Sequence, residues 1–585
     1  MRLLLALCLA LLVAPAPPAA RAAPALAGAL GVNSHIATRY PDYKTLDRAA
    51  DAVAQAGVGW AREDFQWHRI EPRPGAFDWG FNDRAVELLS ARGVAVLGVL
   101  GPSVGWATPF GGDAPGGVSF HPPDPARYAQ FAAAVVARYR GRVSHWEIWN
   151  EPDNALYWRP APDPAAYVRL LQAAAPAIRA ANPEVKILLG GIVPFDGRFL
   201  RAVADAGAWG LFDIISVHPY VDPASPEEGQ IGPAGVGTVR ALADAVGPKP
   251  IWATELGWAA GPGDRDPAGR ADEQAQASFL VRSAALLLQA GAEKVFWYNL
   301  KDDGGFNPYG LFRTGAGRTD YSQPRPALAA LRALASALSG AWPAGLEFGG
   351  EPQVINDFEQ FGAWRRGNQP NGTFAPSDEQ RRSGAISGKL SYSFPGRGND
   401  YVVFSAQPPR PIPGTLSQLG LWVHGDGSGH ALKLWLRDAQ GETLQFRLGY
   451  VGAPGWQLLS APLGGQVEPY NRISGRGNGR LDFPISLAAI VLDDEPDAAS
   501  GKGAIWLDDL SAVGGPELYS ARFARADATV EVLWAPRGAS LGIDAAGASV
   551  LDRSGAPLGP PVVDGRIALE LGPSPIYVVR PLGTP

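Results

Sequence analysis

The chain has 585 residues, 46% of them hydrophobic, a formal charge of -6 and no run of basic residues. A chain of that size and apolar content builds more than one core, and its acidic balance argues against nucleic acid or an anionic membrane as partner. One cysteine excludes a disulfide scaffold, and the 18 Trp stand out, because flat rings either fill cores or stack on ligand faces.

The first element is a targeting segment. Met1 and Arg2 form a basic start, residues 3–13 are an unbroken apolar run, and Ala20-Arg21-Ala22 offers a small-x-small cleavage site. These features predict a signal peptide over residues 1–22. The apolar run is too short to remain as a membrane span, and no later stretch is long and apolar enough to try. Cys8 follows Leu7, not a small residue, so a lipid anchor is not expected. Removal of the segment leaves no cysteine, and the loss of Arg2 and Arg21 takes the charge from -6 to -8. The mature chain is expected to be soluble, and secreted or periplasmic.

From residue 29 to about 341 short β-branched runs alternate with longer amphipathic segments. The predicted strands are 30–34, 60–65, 94–100, 143–149, 186–190, 214–218, 251–255 and 294–299. Each is followed by a loop and a helical pattern, such as 127–139, 165–180, 273–290 and 325–338. Eight βα units in this length predict an α/β fold of the (β/α)8 TIM-barrel class over residues 23–343. A doubly wound open sheet is the competing architecture, but no Gly-rich phosphate loop follows any strand.

Past Pro343 helical periodicity stops, and short alternating strands separated by Gly, Asn and Pro take over. Residues 351–514 are predicted as a jelly-roll β-sandwich. They open on Val354-Ile355-Asn356-Asp357-Phe358-Glu359 and close on Ile505-Trp506-Leu507-Asp508-Asp509-Leu510. Residues 515–585 form a small C-terminal β domain, too short to stand comfortably alone and expected to pack on the barrel with the jelly roll inserted ahead of it.

Barrels of this class build their sites at the C-terminal ends of the strands. The fourth strand ends in Trp146-Glu147-Ile148-Trp149-Asn150-Glu151-Pro152, the seventh in Trp252-Ala253-Thr254-Glu255-Leu256-Gly257-Trp258, and the sixth in His218-Pro219-Tyr220. Strands four and seven lie across the barrel mouth, so Glu151 and Glu255 can converge on one point. Glycosidic cleavage needs that arrangement: one carboxyl donates a proton to the leaving oxygen, while an ionised one attacks the anomeric carbon. Nearby carboxylates push their pKa values apart and so supply an acid and a base at one pH. Retention of configuration needs a separation of roughly 5–5.5 Å, inversion roughly 6.5–9.5 Å.

With these motifs the barrel resembles the clan A glycoside hydrolases, and most of all family 39, which includes β-xylosidases and endoglycosidases acting on exopolysaccharides. The likeness spans about half the chain. It rests on Trp149-Asn150-Glu151-Pro152, Thr254-Glu255, Arg62, His218, Tyr220 and Trp297, and on the segments 62–67, 70–72 and 75–79. The resemblance implies Glu151 as acid/base, Glu255 as nucleophile, and Asn150 as ligand of the hydroxyl beside the anomeric carbon. It also implies that Arg62 and Tyr220 hold Glu255 ionised, that His218 supports the acid/base, and that Trp297 floors the sugar pocket.

Other residues carry two readings each. His218 could instead hydrogen-bond backbone before its proline, and His35 could line the site or simply pack. Glu63 and Asp64 are rivals of the named pair and rank below it as partners of the site, while Glu147 is placed inside the barrel wall. Trp67, Trp106, Trp158 and Trp258 fall in loops at the barrel mouth. They either line a sugar cleft, Trp106 and Trp258 foremost, or pack their loops on the barrel, which is the expectation for at least half of them. Lys301, Asp302 and Asp303 follow the last strand as substrate contacts or a solvated turn, with contact favoured.

The jelly-roll segment resembles carbohydrate-binding modules. That resemblance implies a structural calcium on Glu359 and Asp508, with Asp357 and Asp509 as spares; the competing reading is that these acids cap strand ends. Trp422, Trp435 and Trp456 suit a core as well as a binding face. Asn371-Gly372-Thr373 matches a glycosylation acceptor and is assigned no role. No cofactor is expected in catalysis. The expected activity is a secreted retaining hydrolase, endo-acting on an extracellular polysaccharide. The alternatives are an exo-acting β-xylosidase-like enzyme, a non-catalytic glycan-binding protein, and a structural envelope protein.

Overall fold

The computed structural model describes residues 28–40, 45–193, 197–229, 231–302, 307–349, 353–396, 398–494, 499–515 and 517–582. The predicted signal segment, Asp303 and residue 351 lie outside them.

Eight parallel strands form the first half: β1 Leu30–Asn33, β2 Trp60–Phe65, β3 Ala95–Leu100, β4 His145–Asn150, β5 Lys186–Gly191, β6 Ile215–Val217, β7 Ile251–Leu256 and β8 Lys294–Trp297. They pair in the order β5-β4-β3-β2-β1-β8-β7-β6. The bridges Leu188 to Ile214 and Ile192 to Val217 then bring β5 against β6 and complete the ring. Eight helices alternate with the strands: α1 Leu46–Gln55, α2 Gly80–Ser90, α3 Pro125–Arg138, α4 Pro164–Ala181, α5 Arg198–Asp205, α6 Thr238–Val246, α7 Glu273–Gln289 and α8 Pro326–Ala337. This is the predicted TIM barrel.

Helix starts follow local chemistry. Asp124 and Asp163 each precede a proline at the first helical position, and their carboxylates accept the N–H of Arg127 and Ala166 at 2.9 Å. Asp272 does the same for Gln274 and Ala275. Such caps satisfy N–H groups that the helix leaves unpaired, and proline there forfeits none. Among the described residues no helix is long and apolar enough to cross a membrane.

Strand alternation stacks the barrel interior in layers, because residues two apart share a face. At the N-terminal end Leu97, Leu188, Ile214, Trp252 and Phe296 form an apolar plug, joined by Trp60. Gly31 leaves room for it: a Cβ there would meet the Phe296 ring at 2.4 Å. Two residues further along the strands come Arg62, Ser216 and Thr254, all buried, so a polar layer lies directly on an apolar floor.

After α8 the chain enters an antiparallel sheet through β9, Trp342–Phe348, which pairs with Tyr519–Ala524. The sheet continues through Ala528–Trp534, Ile576–Pro581 and Ser549–Leu551. Its rings and aliphatic side chains, among them Phe523, Val532, Trp534 and Tyr577, join the core of the barrel. Polar staples fix it to α7 and the β6–α6 loop: Arg282 pairs with Glu227, Trp534 Nε1 donates to the same Glu227 at 2.8 Å, and Gln289 Nε2 donates to the Arg522 carbonyl at 2.6 Å. Covered on both sides, α7 buries even Gln276, Arg282 and Ser283.

Between β9 and its partner strand lie two six-stranded antiparallel sheets. One is built on Gly501–Gly514, flanked by Ser387–Phe394 and Leu416–Gly425; the other has Ile485–Asp493 between Tyr401–Ile412 and Ala431–Arg437. Alternating buried residues from both, including Leu390, Leu421, Leu434, Leu492 and Leu507, form a separate core. This is the face-to-face arrangement of a sandwich.

Candidate active site

Above the polar layer, the ends of β2, β4, β6 and β7 bring Glu151, Glu255, His218 and Arg62 together. One oxygen of Glu151, one of Glu255 and one ring nitrogen of His218 all lie within 4.8 Å of one another. Both carboxylates are mostly buried yet keep some exposure, 7% for Glu151 and 8% for Glu255, so a ligand can reach them.

Arg62 organises the nucleophile side. Its guanidinium donates to Glu255 Oε1, to Glu147 Oε2 at 2.8 Å, to Asn150 Oδ1 at 2.8 Å and to Asn33 Oδ1 at 3.0 Å. Burial alone would weaken its charge, but Glu147 and Glu255 overcome this and hold it protonated. Tyr220 donates its hydroxyl to Glu255 Oε2 at 3.1 Å. Burial and the charge of Glu255 raise that phenol far above its ordinary range, so it remains a donor. Glu255 therefore has one donor on each oxygen.

His218 organises the other carboxyl. Its Nδ1 lies 2.8 Å from Glu151 Oε1 and 3.9 Å from Glu255 Oε2, and its Nε2 lies 3.1 Å from Thr254 Oγ1. Asn154 Nδ2 donates to Glu151 Oε2 at 2.7 Å. Gly191 on β5 makes the ring's position possible, since a Cβ there would lie 2.0 Å from Nε2. Burial disfavours charge on both partners, but the contact outweighs it. Glu255 and Glu151 raise the imidazole above its ordinary pKa, and His218, Asn154 and Arg62 lower the Glu151 carboxyl below its own. The pair thus carries one proton, favoured on His218 and hydrogen-bonded to Glu151. The three groups form the one described cluster with the spacing of metal ligands. With Nδ1 engaged by Glu151 and Arg62 lying on Glu255, the arrangement favours holding a proton over coordinating a cation.

The end of β4 is strained to place these groups. Trp149 at φ 72° and Glu151 at φ 46° both occupy the left-handed region, at a cost of about 1–3 kcal/mol each. Neighbours hold them there: Trp149 Nε1 donates to the Tyr157 carbonyl at 2.9 Å, and the Tyr167 hydroxyl donates to the Ile148 carbonyl at 2.8 Å.

The remaining sequence candidates divide. His35 stands at the mouth with Nδ1 2.7 Å from Asp64 and with a buried Nε2 that has no partner. Asp64 is partly buried, and His35 and Arg62 hold its carboxyl well below the ordinary range. Glu63 accepts the N–H of Ile36 and Ala37 at 3.0 and 3.2 Å and so fixes the turn after β1; burial pushes it up to about 7, against the pull of those bonds. Trp297 is buried, donates to the Tyr309 carbonyl at 3.2 Å and stacks on Trp258. Trp67, Trp158 and Trp258 are fully buried, with Trp67 donating to Glu71 and Trp258 to the Ala224 carbonyl. Trp106 is partly exposed and donates to the Glu71 carbonyl at 3.1 Å. Lys301 is tied to the carbonyls of Arg313 and Thr314, and Asp302 to Arg325.

Three contributors, Asn33, Asn154 and Ser216, were not singled out from sequence as parts of the site. Asn33 bridges Arg62 and the Thr254 carbonyl, Asn154 holds Glu151, and Ser216 and Thr254 both donate to Glu147 Oε1. Glu147 itself is wholly buried and pairs with Arg62. Asn33 and Ser216 had a signal, being polar residues inside otherwise apolar strands.

In the sandwich, Glu359 Oε1 accepts the N–H of Ala385 and Ile386, and Asp508 accepts those of Arg382, Ser383 and Asp509. Asp509 accepts the Ser383 hydroxyl. These donor sets tie down the loop 382–386, and they turn N–H groups, not oxygens, toward the carboxylates; calcium needs a cage of oxygens.

A family model described as Glyco_hydro_42, beta-galactosidase, matches residues 38–109. A flagellar filament outer layer-like protein of Brachyspira hyodysenteriae is 25% identical over 175 residues, covering 27% of this chain and 76% of the relative. Among solved structures, a family 39 glycoside hydrolase from Bacteroides cellulosilyticus WH2 superposes with a TM-score of 0.53 at 17% identity, over 95% of this chain and 81% of its own. A family 39 β-xylosidase from Caulobacter crescentus gives 0.41 at 17% identity over 69% and 84%, and a family 30 endoxylanase from Clostridium papyrosolvens C71 gives 0.45 at 11% over 95% and 97%. At these identities the first likeness shows a shared fold.

Proposed function

We propose that this chain is an exported glycoside hydrolase that cleaves O-glycosidic bonds with retention, endo-acting on an extracellular polysaccharide. The observation that carries the reading is the Glu151–Glu255 pair: two carboxylates with oxygens within 4.8 Å, on the short side of the spacing that separates retaining from inverting chemistry, and with unlike partners. Arg62 and Tyr220 each donate a hydrogen bond to one oxygen of Glu255. His218 gives Glu151 access to a proton.

The chemistry follows from that asymmetry. A Glu255 oxygen attacks the anomeric carbon as the bond to the leaving oxygen breaks, and the proton held by the Glu151–His218 pair passes through the Glu151 carboxyl to that oxygen. The leaving sugar departs with a free hydroxyl, and the other sugar stays as an ester of Glu255. Glu151, now ionised, takes a proton from water; the resulting hydroxide attacks the same carbon and the ester bond breaks, restoring Glu255 and the proton on Glu151. Two inversions give net retention. Positive charge develops on the sugar ring in both steps, beside buried carboxylates that outnumber Arg62 and His218, and this stabilises it. Asn150, held by Arg62, is placed to meet the neighbouring hydroxyl.

Export is supported by the basic start, apolar run and small-x-small site of residues 1–22. Endo action is supported by the second, β-rich half of the chain, which walls a long cleft beside the barrel. An exo-acting enzyme of β-xylosidase type would release monosaccharide alone, and a glycan-binding protein would release nothing. The deciding experiment is a polysaccharide panel treated with the purified chain, with product length read by chromatography and the first-formed anomer by proton NMR. The reading expects oligosaccharides whose new reducing ends keep the configuration of the cleaved bond. Inverted products, or no products together with indifference to Glu151→Gln and Glu255→Gln, would refute it.

A further inference from the structure

A cleft of about 1520 Å³ runs between the barrel and the second sheet of the sandwich, larger than the roughly 300–1,000 Å³ of a small-molecule pocket. Its barrel wall includes Asp153, Val193 and Tyr220, and its sandwich wall Gln445, Arg447 and Tyr470. Tyr220, on the cleft wall, is also the donor to Glu255, so one side chain links the cleft to the reaction centre. Cross-links hold its two walls together: Arg270 of the barrel pairs with Glu468 of the sandwich, and Arg198 Nη2 lies 3.4 Å from His430 Nδ1.

We propose that this cleft binds the leaving-group arm of the glycan, so that the sandwich supplies subsites of the catalytic groove. The inference rests on the hydrolase reading and narrows its substrate to a chain several sugars long beyond the cleaved bond. Direction comes from chemistry. Glu151 gives its proton to the leaving oxygen, so the leaving sugar lies on the Glu151 side, and Asp153 stands two residues further along. Asp153 accepts the Val193 N–H at 2.8 Å through Oδ2, while its Oδ1 has no hydrogen-bond partner.

The opposite wall is suited to sugar rings. Tyr470 is 79% exposed, although its neighbour Glu468 is anchored to the barrel and Asn471 is anchored within the sandwich. Asn471 Oδ1 accepts Gln445 Nε2 at 2.9 Å, and Gln445 Oε1 accepts Trp435 Nε1 at 2.8 Å. Arg447 Nη1 donates to the Tyr450 hydroxyl at 2.9 Å. An open ring among oriented amides and a guanidinium is a surface that stacks on a sugar face and bonds its hydroxyls with little reordering.

The test uses Tyr470→Ala and Val193→Trp, one removing the ring and the other narrowing the barrel wall, each first shown to melt with the parent. Oligosaccharides labelled at the reducing end, prepared from the polysaccharide that the wild type cleaves, report where the leaving arm lies. Both variants are expected to shift cleavage toward the label, shortening the labelled product by at least one sugar; an unchanged product ladder overturns the proposal. Binding is read independently of turnover by affinity electrophoresis of the Glu151→Gln chain in gels containing xylan, mixed-linkage β-glucan, galactomannan or arabinogalactan. Adding Tyr470→Ala should weaken retardation by at least about fivefold. Equal retardation, or none of the parent in any gel, overturns the cleft as a glycan site. An inert wild type whose retardation still depends on Tyr470 would refute the hydrolase reading and leave the cleft as a binding groove.

Discussion

Replacing Glu151 by Gln separates proton donation from every other task of that residue. The amide has the same shape, still accepts from Asn154 at the position now 2.7 Å away, and still lies against the His218 ring, so binding and fold are expected to survive. The proton is lost. General acid catalysis contributes about 10²–10⁴-fold, which at about 1.36 kcal/mol per tenfold is about 2.7–5.4 kcal/mol of barrier. That loss should appear in full for a polysaccharide, whose leaving group is a poorly stabilised sugar alkoxide. It should nearly vanish in the first step on a 2,4-dinitrophenyl glycoside of the same sugar, whose phenolate departs without a proton. With that substrate the second step becomes limiting because Glu151 no longer activates water; added azide needs no base, so it should restore turnover and give a glycosyl azide of retained configuration. Initial rates of wild type and variant on both substrates, with and without azide, make the test. A loss of similar size on both substrates, or below about tenfold on the polysaccharide, would refute the assignment.

The pH profile follows from the shared proton. His218 is raised above its ordinary pKa and Glu151 lowered below its own, so the pair holds one proton from below the usual carboxylate range to above the usual imidazole range, and kcat/KM should be flat across that window. Its basic limb belongs to His218, so His218→Asn should move that limb to lower pH; an unmoved limb would remove His218 from proton holding. Arg62→Met leaves Glu147 and Glu255 buried without their partner, and breaking a buried pair in this way costs about 3–5 kcal/mol; urea unfolding followed by barrel tryptophan fluorescence should show it, and a change under about 1 kcal/mol would contradict the network. The N–H groups on Glu359 and Asp508 predict that chelation with EDTA leaves the melting temperature of the sandwich unchanged, whereas a drop reversed by calcium would identify a cation site there.

What the sequence made legible is what neighbouring residues determine. Eight apolar runs alternating with amphipathic segments can be read because a strand buried on both faces needs a continuous apolar run and a helix packed on one side needs a periodic apolar stripe, both local requirements. The two glutamates could be read for the same reason, since each closes a strand and lies beside Asn150 or Thr254. The alternation that turns Glu147 inward toward Arg62 fixes a direction, but not that the guanidinium spans the barrel to reach Glu255 on β7. Asn33, Ser216 and Gly191 act only through strands far away in the chain. Gly191 in particular carries no side chain to announce that it makes room for His218.

Long-range pairing also hides β9. Its partner Tyr519–Ala524 lies beyond the whole sandwich; the insertion was legible from the shortness of residues 515–585, but nothing within residues 342–348 marks the strand that begins it. The insertion constrains the site. A chain that leaves β9 and returns to its neighbour must enter and exit the sandwich close together, at a sheet already stapled to α7 through Glu227 and Arg282. A sandwich tethered at two adjacent points has far less freedom to turn than one on a single linker, and Arg270–Glu468 adds a third attachment near the barrel mouth. Loosening that attachment should therefore act on polymer cleavage and not on folding. Glu468→Gln removes an ion pair whose partners are 40% and 32% exposed, with about 0–1 kcal/mol of effect on stability, but it releases the wall that carries Tyr470. A rise in KM for the polysaccharide with an unchanged melting temperature is the expected signature. An unchanged KM would mean that the two β9-side tethers and the Arg198–His430 contact set the width of the groove without it.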